Sequence, residues 1–116
     1  INCPIARKEN SIIERCVSPL GDSSITHYEV LQSSSNFTVV KCILETGRTH
    51  QIRVHMAHIG HPLLSDTLYG ASSHLIYRQA LHAYRLSYIH PISSKRLTLT
   101  APIPSDFKFV NIKTIT

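Results

Sequence analysis

The sequence predicts an α+β fold from three observations. Residues 24–46 contain two strand-like segments around a polar turn, residues 50–59 have the spacing of a short amphipathic helix, and residues 81–100 contain a second pair of strand-like segments. Hairpins and a helix in this arrangement are typical of antiparallel sheets that pack against helices. At 116 residues with 42% hydrophobic side chains, the chain is long enough for one domain or part of one.

The first hairpin is predicted after a short extended region. Residues 1–22 contain several turn formers and little periodicity, which predicts an extended segment with short pairings. Residues 24–31 and 37–46 are rich in β-branched and aromatic side chains, which favour strands. Because residues 33–36 between them form a short polar turn, we expect the two strands to pair antiparallel.

The helix is the most sharply delimited element. Its apolar stripe has members at i, i+4 and i+7, namely Ile52, Met56 and Ile59. Thr49 is the predicted N-cap, and Gly47 lets the chain turn out of the preceding strand. Gly60 supplies a C′ position and Pro62 blocks continuation. We therefore predict a helix at about residues 50–59.

The second hairpin and a short terminal helix complete the predicted elements. Residues 81–90 alternate between two faces, residues 91–94 form a turn, and residues 96–100 alternate again. Residues 102–109 contain a Pro-Ser-Asp-Phe sequence that predicts a short helix.

The charge is concentrated in the second part of the chain. Of 12 Lys and Arg residues, eight lie in residues 46–116, where the only acidic residues are Asp66 and Asp106. Such a stretch favours a polyanion as partner. A basic protein without any such partner is the competing interpretation, and charge alone leaves both open.

No membrane segment or secretory signal is predicted. No apolar run approaches the roughly 20 residues that span a bilayer. The three cysteines, Cys3, Cys16 and Cys42, form no CxxC pair, which favours reduced thiols in a cytoplasmic protein. The chain begins with Ile1 rather than Met, so we expect a processed product or a fragment.

Eight histidines raise the possibility of a metal site. His50 and His55 are five positions apart, whereas the helical zinc motif needs an i, i+4 pair with a glutamate between. Residues 46–62 contain no Asp, Glu or Cys and carry two arginines that would repel a cation. We therefore expect no metal, and hydrogen-bonding roles for these histidines. The chain also lacks a nucleophile elbow and a glycine-rich nucleotide loop.

Two arginines are better candidates for function. Arg48 precedes the first turn of the helix, where free N–H groups favour an anion. Arg53 lies at the border of the buried stripe, where a guanidinium usually needs a carboxylate partner. Asp66 is the only acidic residue within 15 positions on its C-terminal side. A solvated Arg53 with its stem on the core is the alternative.

Residues 47–55, Gly-Arg-Thr-His-Gln-Ile-Arg-Val-His, together with His61-Pro62 and Asp66-x-x-Tyr69-Gly70, resemble the C-terminal motif of the RluA-type pseudouridine synthases. Further matches cover nearly the whole chain: Pro4-Ile5-x-Arg7, Thr26-x-Tyr28-x-Val30-Leu31, Leu81-His82-Ala83, His90-Pro91 and Ala101-Pro102-x-Pro104-x-Asp106. The resemblance implies the C-terminal half of that family's mixed, largely antiparallel sheet, with the helix at about 50–59 packed against it.

The resemblance also implies an activity. Enzymes of this family convert uridine in structured RNA to pseudouridine without cofactor or metal, by breaking the C–N glycosidic bond and rejoining the base through carbon. An aspartate starts the chemistry, and an arginine of the C-terminal motif pairs with it. By motif position that arginine is Arg53, and ribosomal RNA is the expected substrate. Further RNA contacts are expected from these residues: Arg48, His50, Arg7, Lys8 and Arg85.

The chain departs from the family in one respect that matters. It contains neither the Arg-Leu-Asp motif that carries the catalytic aspartate nor the tyrosine motif that follows it. Asp66 matches a different family position, so we interpret it as a structural loop residue. Residues 1–116 are therefore expected to be a partial catalytic domain that lacks the nucleophile, so that Arg53 pairs with an aspartate outside the chain. Such a fragment is expected to be inactive and to self-associate through exposed strand edges and apolar faces. A non-catalytic RNA-binding module on the same scaffold is the alternative.

Overall fold

A computed structural model of the chain describes residues 1–107. The described residues form three two-stranded antiparallel sheets, one α-helix and one short 3₁₀ helix. The elements in chain order are β1 (Ile5–Arg7), β2 (Arg15–Val17), β3 (Thr26–Ser33), β4 (Thr38–Leu44), α1 (Gln51–His58), β5 (Arg85–Ile89), β6 (Arg96–Thr100) and the 3₁₀ helix (Ser105–Phe107). This confirms the predicted α+β class and both predicted hairpins.

The first 22 residues form the short pairings that the sequence predicts. Strands β1 and β2 pair with Ile5 opposite Val17, and Ile5 is one of the buried hydrophobic residues. The chain then returns past β1 at Gly21. A Cβ on Gly21 would lie 2.3 Å from the carbonyl carbon of Ile5, so only glycine fits this approach.

The β3–β4 hairpin leads directly into the helix. Thr26 pairs with Leu44 at its base, and the register shifts between Val30 and Gln32, which marks a β-bulge. Thr26 is fully buried, whereas most of the remaining β3 residues are exposed. The base of this hairpin is therefore the part that packs against the helix.

The helix ends as predicted but begins differently. His61 N–H donates to the Met56 carbonyl and Gly60 N–H to the Ala57 carbonyl, with Gly60 at φ 88°. This is a Schellman motif. The N-cap residue is His50 in the left-handed region (φ 56°), so the prediction of Thr49 is wrong. The Gln51 carboxamide closes this turn instead, because its oxygen accepts from Arg48 N–H and from the Thr46 hydroxyl.

The buried face of α1 is more polar than the predicted stripe. The buried residues of the helix are Gln51, Val54, His55 and Met56. Of the predicted stripe only Met56 is buried, because Ile52 and Ile59 are half-buried. The stripe shifts because Gln51 and His55 bind the base of β3.

A chain of hydrogen bonds joins these polar groups. Gln51 Nε2 donates to Thr26 Oγ1, which lies 2.8 Å from His55 Nδ1, and His55 Nε2 lies 2.8 Å from the Cys3 carbonyl oxygen. A carbonyl only accepts, so His55 carries its proton on Nε2 and its Nδ1 accepts from the Thr26 hydroxyl. The helix is thus tied to β3 and to the N-terminal segment.

The C-terminal hairpin is amphipathic and exposed. Strand β5 begins at Arg85, later than the predicted residue 81, and all ten residues of β5 and β6 are exposed. One face is apolar, with Leu86 opposite Leu99 and Tyr88 opposite Leu97. The 3₁₀ helix confirms part of the helix predicted at 102–109, of which residues 108 and 109 lie outside the described residues. Within residues 1–107, no helix has the length and apolar character needed to cross a membrane.

The buried His55 predicts a loss of stability in acid. Burial lowers the pKa of His55 below its ordinary value of 6.5, although the hydrogen bond to Cys3 opposes this. The unfolded chain therefore binds the proton more readily, and stability falls as the pH drops below 6.5 until the lowered pKa is reached. Urea unfolding at pH 7.5, 6.5 and 5.5 measures this dependence.

Substitution identifies the residue responsible. His55→Gln should weaken the pH dependence without abolishing it, because the pKa of His50 is lowered as well. His74→Gln, at an exposed position outside the helix, should leave the dependence unchanged. Equal slopes in wild type and His55→Gln would contradict the assignment.

Candidate functional site

The centre of the site is a bidentate ion pair between α1 and the loop that follows it. Arg53 Nε and Nη2 each donate to an oxygen of Asp66, both at 2.9 Å. The Asp66 side chain is 0% exposed and that of Arg53 is 15% exposed. The predicted position of Arg53 at the border of the buried face is therefore confirmed. The alternative prediction of a solvated Arg53 is wrong.

The loop reaches this position through three tight turns. After Gly60 the chain turns again at Ser65, which has φ 57°. Gly70 N–H donates to the Asp66 carbonyl at 2.7 Å, and a Cβ on Gly70 would lie 2.8 Å from Pro62 Cβ. The Asp66 side chain also accepts from the N–H groups of Leu68 and Tyr69. Asp66 is thus both a turn-forming residue and a counterion.

The ion pair keeps Asp66 charged. Burial by itself would raise the pKa of the Asp66 carboxyl, but the Arg53 guanidinium and the N–H groups of Tyr69 and Leu68 outweigh it and leave the pKa below 3.8. The pair therefore contributes stability at pH values above 3.8, and this contribution is lost in stronger acid as the pH falls through the lowered pKa.

This pair answers a question that the sequence leaves open. Asp66 supplies the carboxylate that a guanidinium at the border of the buried face needs. The loop folds back over the first turns of α1, which brings residues 13 positions apart into contact. The interpretation of Asp66 as a structural loop residue agrees with its burial and its turn-forming hydrogen bonds. A second aspartate from outside the chain stays a prediction.

Tyr69 joins the ion pair to the start of the helix. The Arg53 guanidinium carbon lies 5.1 Å from the centre of the Tyr69 ring, within cation–π range. The Tyr69 hydroxyl accepts from Arg15 N–H at 2.9 Å and lies 2.7 Å from His50 Nδ1. Burial, followed by the charges of Arg53 and Arg15, lowers the pKa of His50, so its imidazole is neutral at pH 7.

A cavity lies beside this cluster. It has a volume of about 740 Å³, and Arg53, Ser65, Thr67, Ile76 and Arg78 are among the residues that line it. Asp66 occupies Nε and one N–H of Nη2 of Arg53, and Nη1 has no hydrogen-bond partner among residues 1–107. Asp66 therefore fixes one edge of the Arg53 guanidinium and leaves the Nη1 donors available. Arg78 differs, because Asp106 and two backbone carbonyls bind all three of its guanidinium nitrogens.

The structure brings only part of the predicted site together. His50 joins Arg53 through Tyr69, and Arg48 lies at the same end of α1 with its Nε donating to the Ser23 carbonyl. The remaining predicted residues are exposed on other elements: Arg7 at the end of β1, Lys8 in an ion pair with Glu14, and Arg85 against Tyr84. Within residues 1–107, no hydrogen bond, ion pair or ring contact links these three to Arg53.

Sequence reasoning singles out Asp66 as the acidic residue near Arg53 on its C-terminal side, but it misses Tyr69 as a neighbour of the pair. The available signal was the Asp-x-x-Tyr-Gly spacing, which places a turn-forming carboxylate and an aromatic ring on one short loop. The histidines were interpreted correctly in two cases, because His50 and His55 bind protein groups. No group of three potential metal ligands occurs among the described residues.

Comparison with known proteins assigns the chain to a family. A family model described as RNA pseudouridylate synthase matches residues 2–58, which include β1 to β4 and α1 with Arg53. The RNA pseudouridine synthase YjbO of Bacillus subtilis, itself uncharacterised, is 50% identical over 106 residues. The chain belongs to the RNA pseudouridine synthase family. This membership confirms the RluA-type resemblance of the motif.

Other members of the pseudouridine synthase family resemble the chain over a similar length. Ribosomal large subunit pseudouridine synthase D of Pasteurella multocida is 43% identical over 121 residues. A solved structure of human RNA pseudouridylate synthase domain containing 1 superposes with a TM-score of 0.67 at 28% identity, and it covers 90% of this chain and 47% of the human chain. The alignment with YjbO covers 91% of this chain but only 38% of YjbO. The chain therefore spans little more than a third of the length of such relatives.

The buried ion pair predicts an unequal cost for two similar substitutions. Asp66→Asn leaves Arg53 without its counterion in a largely buried position, and we expect a loss of about 3 kcal/mol in the free energy of unfolding. Asp106→Asn removes a similar bidentate pair, with Arg78, at the surface, where solvent screens the charges. Its effect on stability should be clearly smaller. Chemical denaturation of both variants measures the difference, and equal losses would contradict the buried role of Asp66.

Proposed function

We propose that the chain is the C-terminal half of the catalytic domain of an RNA pseudouridine synthase that isomerises uridine in structured RNA. The observation that carries the proposal is Arg53, a guanidinium that Asp66 fixes on one edge and that lines a cavity. The catalytic aspartate belongs to an Arg-Leu-Asp motif outside residues 1–116. A desolvated carboxylate stays ionised and aimed when a guanidinium donates to it.

The role of Arg53 follows from its remaining donors. A guanidinium has five N–H groups, and Asp66 binds two of them. The Nη1 edge is free to bind the catalytic aspartate while the Nε edge stays on Asp66. Arg53 would then contact the nucleophile without changing its own position, and no cofactor or metal takes part.

RNA binding is supported by charge and by the position of several side chains. Residues 46–116 carry eight basic and two acidic residues, and Arg48 and His50 lie at the end of α1 that carries the positive dipole. Arg7, Lys8 and Arg85 extend the basic surface to other elements. Taking a base out of RNA structure costs a few kcal/mol, which phosphate contacts help to offset.

The RNA of the large ribosomal subunit is the proposed substrate. The support comes from relatives such as the pseudouridine synthase D proteins, whose names assign them to the ribosomal large subunit. Such a reaction takes place in the cytoplasm, which agrees with three free cysteines.

The alternative is a non-catalytic RNA-binding module on the same scaffold. It is supported by the absence of the Arg-Leu-Asp and tyrosine motifs from residues 1–116. The sequence upstream of Ile1 distinguishes the two: both motifs there indicate an enzyme, and a continuous sequence without them indicates a binder.

A chimera tests the catalytic proposal directly. Residues 1–116 replace the matching segment of Haemophilus influenzae pseudouridine synthase D, which is 42% identical over 121 residues. We expect the chimera to form pseudouridine in large-subunit ribosomal RNA from a strain without that enzyme. Arg53→Lys should lower kcat about 100-fold or more, since an ammonium cannot bind two carboxylates in the same geometry.

Two controls accompany this measurement. Arg96→Lys, on the exposed strand β6, should leave kcat unchanged. Residues 1–116 alone should form no pseudouridine, because the nucleophile is missing. Turnover by the isolated chain, or full activity of Arg53→Lys in the chimera, would refute the proposal.

The isolated chain is also expected to self-associate. Leu86, Leu97, Leu99 and Tyr88 form an exposed apolar face on the β5–β6 hairpin, which we propose the first half of the domain covers. Sedimentation of residues 1–116 should therefore show oligomers or precipitate. Leu97→Lys should reduce association more than Thr98→Lys, which adds the same charge on the opposite face. A clean monomer with cooperative melting would contradict this expectation.

A further inference from the structure

Tyr69 occupies a position from which it contacts both predicted functional side chains of α1. It follows Asp66 by three positions, and its backbone N–H donates to Asp66 Oδ1. Its ring faces the guanidinium of Arg53, and its hydroxyl meets the imidazole of His50. One loop residue therefore sets the position of two side chains that lie about one helical turn apart.

The hydrogen bonds of the Tyr69 hydroxyl favour one tautomer of His50. A phenol has one proton to donate and two lone pairs to accept with. The backbone N–H of Arg15 can only donate, so it uses one lone pair at 2.9 Å. The hydroxyl proton is then available for His50 Nδ1 at 2.7 Å. If His50 Nδ1 carried the ring proton, the hydroxyl proton would have no acceptor among residues 1–107, so the favoured arrangement has Nδ1 as acceptor and the ring proton on Nε2.

The backbone at His50 is left-handed at a residue that is not glycine. His50 adopts φ 56° and ψ 21°, a left-handed conformation that non-glycine residues adopt at a cost. It is the N-cap of α1 yet makes no side-chain capping hydrogen bond. Its side chain instead packs edge-on against Tyr69, with the ring centres 5.6 Å apart. With this backbone, the His50 side chain contacts Tyr69 and does not cap the helix.

His50 Nε2 is left free for a ligand. Among residues 1–107 it has no hydrogen-bond partner, and the residue is only partly buried. Burial lowers the pKa of His50, and the charges of Arg53 and Arg15 lower it further, so the ring is neutral at physiological pH. A neutral N–H group at this position can donate a hydrogen bond to an oxygen atom without carrying a net charge.

We propose that Tyr69 is a positioning residue that holds the Arg53 guanidinium with its ring and, with its hydroxyl, holds His50 as the Nε2–H tautomer that donates to an oxygen acceptor of the RNA. This inference rests on the proposed function, because it assumes that RNA occupies the cavity side of Arg53. The acceptor is a phosphate or a base carbonyl oxygen. Tyr69 itself does not take part in the chemistry.

Two substitutions at Tyr69 separate its two contacts. Tyr69→Phe keeps the ring under Arg53 and removes the hydroxyl, so we expect RNA to bind roughly fivefold more weakly with little change in kcat. Tyr69→Leu removes both contacts, and kcat should fall as well because Arg53 loses one side of its support. Tyr28→Phe, in β3, is the matched control and should change neither quantity. The measurements use the chimera with large-subunit ribosomal RNA.

The tautomer is read directly by nitrogen NMR of histidine-labelled chimera. In the wild type, His50 Nδ1 should resonate as an unprotonated acceptor and Nε2 as a protonated donor. Tyr69→Phe should shift His50 to a mixture of tautomers, and His50→Gln combined with Tyr69→Phe should weaken RNA binding no further than His50→Gln alone. A protonated Nδ1 in the wild type, an unchanged tautomer in Tyr69→Phe, or additive losses would overturn the proposal.

The two proposals fail differently. If the chimera binds RNA but forms no pseudouridine, the proposed function is wrong, while the NMR and affinity results still decide the role of Tyr69. If Arg53→Lys abolishes activity but Tyr69→Phe changes neither tautomer nor affinity, the proposed function stands and the role of Tyr69 is wrong.

Discussion

The ion pair between Arg53 and Asp66 is the interaction on which the site depends. A fully buried carboxylate is costly unless a counterion and hydrogen bonds surround it, and Asp66 has both. The loop after α1 therefore favours a path that returns Asp66 to Arg53. This return also brings Tyr69 beneath the guanidinium. The same bond thus shapes the loop, orients Arg53 and places the ring that contacts His50.

A second polar network fixes the helix that carries these residues. Gln51, Thr26 and His55 form a chain of hydrogen bonds that ends on the Cys3 carbonyl. Apolar contacts tolerate sliding, whereas hydrogen bonds require defined distances and angles, so this network determines the rotation and height of α1 against β3. Among the described residues, the buried hydrophobic side chains are few, namely Ile5, Val54, Met56 and Ile76. Specific polar contacts therefore carry much of the organisation around the helix.

Much of the fold follows from local sequence signals, whereas the partners within the site do not. The hairpins are predicted by alternation and turn residues, and the end of α1 by Gly60 and Pro62, since each signal acts over a few residues. The start of α1 and its buried face were predicted incorrectly, because Gln51 and His55 bind Thr26 on β3 and His55 also binds the Cys3 carbonyl. Helical spacing identifies apolar stripes and cannot reveal a polar network with distant partners.

The sequence by itself determined the family, the order of the elements and the candidate status of Arg53, because the motif in residues 47–55 is long and its helical spacing places Arg53 at a border. Only the tertiary structure decided that Asp66 is the partner of Arg53, that Tyr69 links Arg53 to His50, and that burial and the charges of Arg53 and Arg15 lower the pKa of His50. The physical reason is that charge state and hydrogen-bond direction depend on which groups surround a side chain. Those groups come from β2, α1 and the following loop, and they meet only when the chain folds.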